Sequence, residues 1–157
     1  MKVIITGATG LIGRALCAEL CRDHELVTLS RDAERAQDIL GDMARAVEWD
    51  AVSAEGWTDE LEGCAAVVNL AGENIATGRW DKEKKERILQ SRLNCSKALV
   101  AAIRQKPASP PAVIQSSAIG FYGSRGNEQL DESSPAGRGF LAQVCVRCES
   151  FAEQFEK

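Results

Sequence analysis

The chain has 157 residues, 45% of them hydrophobic and 27% charged, which suits one globular unit with a sizeable core. Four prolines and 13 glycines are ordinary usage and exclude the disordered and fibrous classes. The net charge of -4 comes with no basic stripe, so nucleic acid is not an expected partner, and no run of about 18 apolar residues suggests a membrane span.

Met1-Lys2-Val3-Ile4-Ile5-Thr6-Gly7 carries one lysine and a short apolar run that leads straight into glycines. A secretion signal needs a longer apolar region and a cleavage site, so Val3–Thr6 reads as a first buried strand. Apolar residues at Leu11, Ile12, Ala15, Leu16 and Leu20 have helical spacing over Leu11–Cys21. Leu26–Leu29 reads as a second strand, Arg31–Leu40 as a polar helix, and Ala46–Trp49 as a short third strand. Ala65–Leu70 is a fourth strand. Asp81 caps a long charged helix over Lys82–Gln105, ended by Pro107, Pro110 and Pro111. Ala112–Ser116 is a fifth strand, Gly123–Arg138 a polar loop, and a last helix begins near Phe140. It runs to Phe155-Glu156-Lys157 with no cap or stop, which suggests the N-terminal portion of a longer protein.

Strands alternating with helices imply a parallel sheet with right-handed crossovers. The near-continuous apolar strands imply cover on both faces. The expected fold is therefore α/β, a Rossmann-type doubly wound parallel sheet.

The turn Thr6-Gly7-Ala8-Thr9-Gly10-Leu11-Ile12-Gly13 follows a strand and opens a helix, the context that gives a glycine pattern its meaning. Gly7 permits a tight turn, Gly10 lets a pyrophosphate approach the backbone, and Gly13 lets the helix pack closely. The pyrophosphate would sit on the free N–H groups at the helix start, near Thr9, Leu11 and Ile12. The second strand ends Leu29-Ser30-Arg31-Asp32. An acidic residue there bonds a ribose 2′-hydroxyl, and an arginine pairs a 2′-phosphate. Ser30 and Arg31 hold that place, so NADP(H) is the expected cofactor, with Asp32 pointing elsewhere.

Six cysteines, Cys17, Cys21, Cys64, Cys95, Cys145 and Cys148, read as reduced thiols of a cytoplasmic protein. Cys145 and Cys148 have redox or zinc spacing, but they lie on a helix with no second such pair, and His24 is the only histidine. No metal site is expected.

Three ordered motifs add to this reading. They are TGATGLIG at residues 6–13, Asn69-Leu70-Ala71-Gly72-Glu73-Asn74-Ile75, and Ser116-Ser117-Ala118-Ile119-Gly120-Phe121-Tyr122-Gly123. Together they resemble the extended short-chain dehydrogenase/reductase superfamily. With Arg79-Trp80 and Ser91-Arg92, the combination is similar to its atypical epimerase-family group. The resemblance implies that residues 1–157 are an NADP-binding domain and that the substrate lobe of the family lies outside them. It places Asp50 near an adenine, and Asn69, Leu70, Ala71, Gly72 and Arg92 beside the cofactor. Ser116 would face the nicotinamide, and Ser117 would occupy the place of the catalytic serine. Arg79 and Trp80 would lie in a loop covering the site.

Active members of the superfamily carry Tyr-x-x-x-Lys on the helix after the fifth strand. Aligning on Glu149 puts Leu141 and Cys145 at those positions, and neither can perform that proton chemistry. Tyr122, the only tyrosine, is the substitute acid. Two readings follow. One is an NADP(H)-dependent oxidoreductase or epimerase-like enzyme acting on a small molecule, and the other is a non-catalytic NADP(H)-binding sensor. A structural module that binds no dinucleotide would contradict the glycine turn. A free edge on the sheet would favour homo-oligomers.

Overall fold

The computed structural model of the chain describes residues 1–105 and 110–155. Five strands form one parallel sheet: β1 (Lys2–Thr6), β2 (Glu25–Ser30), β3 (Arg45–Glu48), β4 (Cys64–Asn69) and β5 (Ala112–Gln115), in the order β3-β2-β1-β4-β5. This is the expected doubly wound sheet, with the change of direction between β1 and β4. Pro107, Glu156 and Lys157 lie outside the described residues.

Each face of the sheet buries its own cluster, because alternate side chains of a strand point to opposite faces. Val3, Ile5, Leu26 and Val68 pack with Cys17 of α1 (Leu11–Leu20) and Leu40 of α2 (Ala33–Leu40). Ile4, Val27 and Val67 pack on the other side, against Cys95, Ala98, Leu99 and Ala102 of α3 (Lys82–Gln105). The last helix, α4 (Phe140–Ala152), sets Val144 and Cys148 against Leu93 of α3.

The helix starts follow from local chemistry. Asp81 accepts from the Lys84 amide at 2.7 Å and opens α3 as its sequence suggests. The second helix begins at Ala33 rather than Arg31, because the Asp32 carboxylate caps it, accepting from the Arg35 amide at 2.9 Å. Arg31 is thereby released into the loop at the C-terminal end of β2. Every strand differs from its expected bounds by one residue, β1 and β5 at one end and β2, β3 and β4 at both, where the ladder rather than residue type decides.

Short 3-10 turns at Thr58–Leu61 and Ile119–Tyr122 have no periodic signature, and reading the sequence did not find them. At the C-terminal strand ends a buried polar cluster ties the sheet together. The Thr6 hydroxyl donates to Asn69 Oδ1 (2.6 Å), and Asn69 Nδ2 donates to Gln115 Oε1 (2.8 Å) and Ser96 Oγ (3.4 Å). One asparagine thus joins β1, β4, β5 and α3.

Candidate dinucleotide site

A groove of about 410 Å³ runs across the C-terminal ends of β1, β2 and β4, within the size range of small-molecule sites. Gly7, Thr9 and Gly10 line it from the first turn, Ser30 and Arg31 from β2, Asp50 from β3, and Leu70, Ala71 and Gly72 from β4.

The glycines differ in what they do. Gly7 has φ +70°, and a Cβ there would lie 2.8 Å from the carbonyl of Leu70, so the turn and the β1–β4 approach both need it. Gly10 has an ordinary φ of -74°, and a Cβ there would meet only the Gly7 carbonyl oxygen, at 3.3 Å. Its bare surface opens on the groove. A Cβ on Gly13 would lie 2.4 Å from the same oxygen, so Gly13 packs α1 against the turn itself. No side chain caps α1, and its first intrahelical bond runs from Arg14 N to Gly10 O at 3.0 Å. The amides of Leu11 and Ile12 precede that bond and are free for an anion, while their side chains are exposed.

The far wall is a loop held by two indoles. Trp49 and Trp57 cross edge to face at 5.6 Å, and both donate to the Ser53 carbonyl, at 2.8 and 3.2 Å. The Asp50 carboxylate accepts from the amides of Val52 and Ser53, both at 2.8 Å; the Ser53 bond and then the Val52 bond hold it below the usual carboxylate range. Beside the groove, Thr9, Ser30, Arg31, Asp32 and Arg35 border a smaller recess. Reading the sequence did not find Arg35, which gains its place from the capped start of α2.

The loop after β4 is clasped to α3. The Lys84 ammonium is buried and bonds Glu73 Oε1 at 2.7 Å, holding that carboxylate low, with Arg87 adding to the effect. The Glu73 amide donates to Ser91 Oγ at 2.9 Å, and Arg92 donates to the carbonyls of Glu73 (3.1 Å) and Ile88 (3.0 Å). The Arg92 guanidinium lies over Gly72, where a Cβ would meet its Cζ at 2.7 Å. Arg92 and Asn69 therefore shape the groove from behind and do not line it. Ser91, Asn94 and Cys95 of α3 line its floor, a contribution that shows only once α3 is docked.

Ser116, Ser117 and Tyr122 stand outside the groove lining, at and beyond the end of β5. The Ser117 hydroxyl bonds the Glu149 carboxylate. Tyr122 stacks edge-on against Phe121 at 5.2 Å, and a Cβ on Gly137 would collide with its carbonyl oxygen. Trp80 lies edge to face with Phe140, 6.0 Å away, and donates to the Ile75 carbonyl at 2.8 Å, so the Arg79-Trp80 loop rests on the start of α4. Cys145 and Cys148 are buried in packing, and burial pushes the Cys148 thiol up to about 11. The Cys95 thiol, likewise buried, is pushed up to about 12.

A glycine turn at a helix start, placed where a doubly wound parallel sheet changes direction, defines a Rossmann-type dinucleotide-binding fold. The sequence pattern of the NAD dependent epimerase/dehydratase family matches residues 3–139, and the chain belongs to that family. The chain is 37% identical over 161 residues to an Arabidopsis thaliana protein named epimerase family protein SDR39U1 homolog, chloroplastic, covering all of this chain and 46% of that one. Its human relative, epimerase family protein SDR39U1, is 34% identical, with 97% of this chain and 49% of that protein covered. The crystal structure of human SDR39U1 (isoform 2) with NADPH superposes with a TM-score of 0.75 at 30% identity, over 97% of this chain and 48% of that one. A UDP-glucuronic acid 4-epimerase from Bacillus cereus, solved with UDP-glucuronic acid and NAD, has a TM-score of 0.77 at 17% identity over 99% of this chain and 52% of that one, a likeness of fold alone. The chain spans about half the length of the curated relatives it matches. Among the described residues, no helix is long and apolar enough to cross a membrane.

Proposed function

We propose that the groove binds NADP(H) and that the chain is the cofactor-binding part of an NADP(H)-dependent oxidoreductase or epimerase-like protein acting on a small molecule. One observation carries the choice of NADP(H). Arg31 borders both the groove and the recess that Arg35 also borders, while Asp32, which borders the recess as well, has its Oδ1 engaged in capping α2. A 2′-phosphate in that recess would meet two guanidinium groups, and a 2′-hydroxyl would meet no free carboxylate from the end of β2. The human relative solved with NADPH supports the same assignment.

The residues present fit the rest of the cofactor. Gly10 and the amides of Leu11 and Ile12 would take the pyrophosphate. The loop carrying Asp50 would flank the adenine, and the small residue Ala71 would let the ribose lie close to the backbone, with Gly72 making room for Arg92 behind it. A bound nicotinamide supplies two-electron hydride chemistry. Ser117, at the end of β5, would orient a substrate oxygen. The free thiols fit the expected cytoplasmic setting.

The test is calorimetric titration of NADPH and NADH into wild type and Arg31→Ala. NADPH should bind more tightly than NADH, and Arg31→Ala should weaken NADPH about 10- to 100-fold, the worth of one charge-assisted contact, with little effect on NADH. Equal affinities in the wild type would refute the assignment.

A non-catalytic NADP(H) sensor is favoured by one feature. Gly120 sits against Leu141 and Cys145, its would-be Cβ 3.3 Å from Leu141 Cβ and 4.0 Å from Cys145 Sγ. The stretch of α4 aligned with the superfamily's Tyr and Lys is thus covered by the turn. A protein that binds NADPH and turns over no member of a carbonyl panel would be such a sensor.

A further inference from the structure

We infer that Ser117 and Glu149 form a proton-accepting pair that takes the hydroxyl of an alcohol, a role displaced one helical turn along α4 from the covered positions. The inference rests on the reading of the groove as a nicotinamide cofactor site.

Three observations carry it. First, the Ser117 hydroxyl donates to Oε1 of Glu149, which lies four residues beyond Cys145 and so on the same face of α4. Secondly, Gly120 closes the earlier part of that face, and the Cys145 thiol donates to the Ala118 carbonyl at 3.8 Å. Of the three positions 141, 145 and 149, only Glu149 supplies a carboxylate. Thirdly, Ser117 is exposed and Glu149 half-buried, so the pair can be reached from solvent. Glu149 has no salt bridge to a lysine or arginine among the described residues, and its partner there is the serine.

A serine hydroxyl has one proton and two lone pairs. With its proton committed to the carboxylate, Ser117 can only accept from a ligand. It therefore favours a hydroxyl donor over a carbonyl, the reverse of a serine that donates to a ketone. In the oxidative direction the ligand's O–H proton passes to Ser117 Oγ as the Ser117 proton passes to Glu149. The O–H bond would break as the C=O bond forms, and a bound oxidised nicotinamide dinucleotide would supply the acceptor for the carbinol hydrogen and its electron pair. Glu149 ends protonated. In reverse the protonated pair donates to a carbonyl oxygen.

The experiment uses cyclohexanol and cyclohexanone as probes, with binding followed by ligand-detected NMR on the chain, with and without NADP+. Wild type should bind the alcohol about tenfold better than the ketone, the worth of one hydrogen bond made rather than left unmade. Glu149→Gln, near-isosteric, should lose most of that preference because its amide can donate to Ser117 Oγ and free the serine proton. Ser117→Ala should lose it altogether, with circular dichroism confirming that both variants fold. Wild type that binds the ketone equally well, that binds neither probe, or that shares its preference with Glu149→Gln would overturn the inference. The cofactor-free arm and the NADPH titration keep the two readings separate, because either can fail alone.

Discussion

The glycine turn divides its labour between the fold and the proposed cofactor at single atoms. Alanine at Gly7 meets both a left-handed φ and the Leu70 backbone 2.8 Å away. Gly7→Ala should therefore destabilise the chain by more than about 2 kcal/mol, seen as a lower melting temperature. Gly10→Ala meets only one oxygen at 3.3 Å and has no φ penalty. It should melt close to wild type yet lose NADPH binding, because the added methyl fills the space a phosphate needs. A Gly10→Ala chain that binds NADPH normally would remove Gly10 from the site. The spacing of these glycines made the turn legible in the sequence, because the chemistry is local. The roles of Arg92 and Glu149 were not legible. Arg92 reaches the carbonyl of a residue 19 positions away, and Glu149 meets a serine 32 positions away, so both depend on how α3 and α4 dock.

At the scale of elements, the site depends on two fastenings. The first is the Asn69 cluster. Asn69→Leu keeps the volume but leaves the Thr6 hydroxyl without its acceptor and Gln115 Oε1 with the Ser96 hydroxyl as its one remaining donor in the cluster. It should cost about 2–4 kcal/mol, read from the urea midpoint; an unchanged midpoint would mean the cluster is not holding the strand ends. The second is the clasp of the loop after β4 on α3. The Glu73 carboxylate is held below its ordinary value of 4.5, chiefly by its bond from Lys84. Because the folded value is the lower one, the clasp contributes stability above the ordinary value and loses it as the pH falls through the folded value. Amide NMR signals of residues 73–77 should shift toward random-coil positions in that acid range in wild type but not in Glu73→Gln. The helix α3 was legible in the sequence through its Asp81 cap and its length. The clasp was not, because KEKKER at residues 82–87 reads as a solvated charged face, and only docking buries Lys84 within it.

At the scale of the whole molecule, the order of strands and helices followed from alternation in the sequence, as did the parallel sheet covered on both faces. What alternation leaves open is how completely each face is covered. Ile114 of β5 is 56% exposed, while its neighbour Val113 packs into the core beside α3. β5 is also an edge strand, so an apolar side chain and unpaired backbone groups share one margin. The chain should self-associate at high concentration by light scattering, and Ile114→Lys should reduce that association without lowering the melting temperature. A wild-type monomer at every concentration would count against it.

The two indoles that share the Ser53 carbonyl have an optical consequence. Trp49 forms part of the groove wall, whereas Trp80 sits on the start of α4. Reduced nicotinamide absorbs where tryptophan emits, so, with the proposed cofactor in the groove, energy transfer from Trp49 would make this protein its own gauge of occupancy. Replacing Trp57 and Trp80 with phenylalanine would leave a single emitter in the wall, and Trp49 would keep its own bond to Ser53.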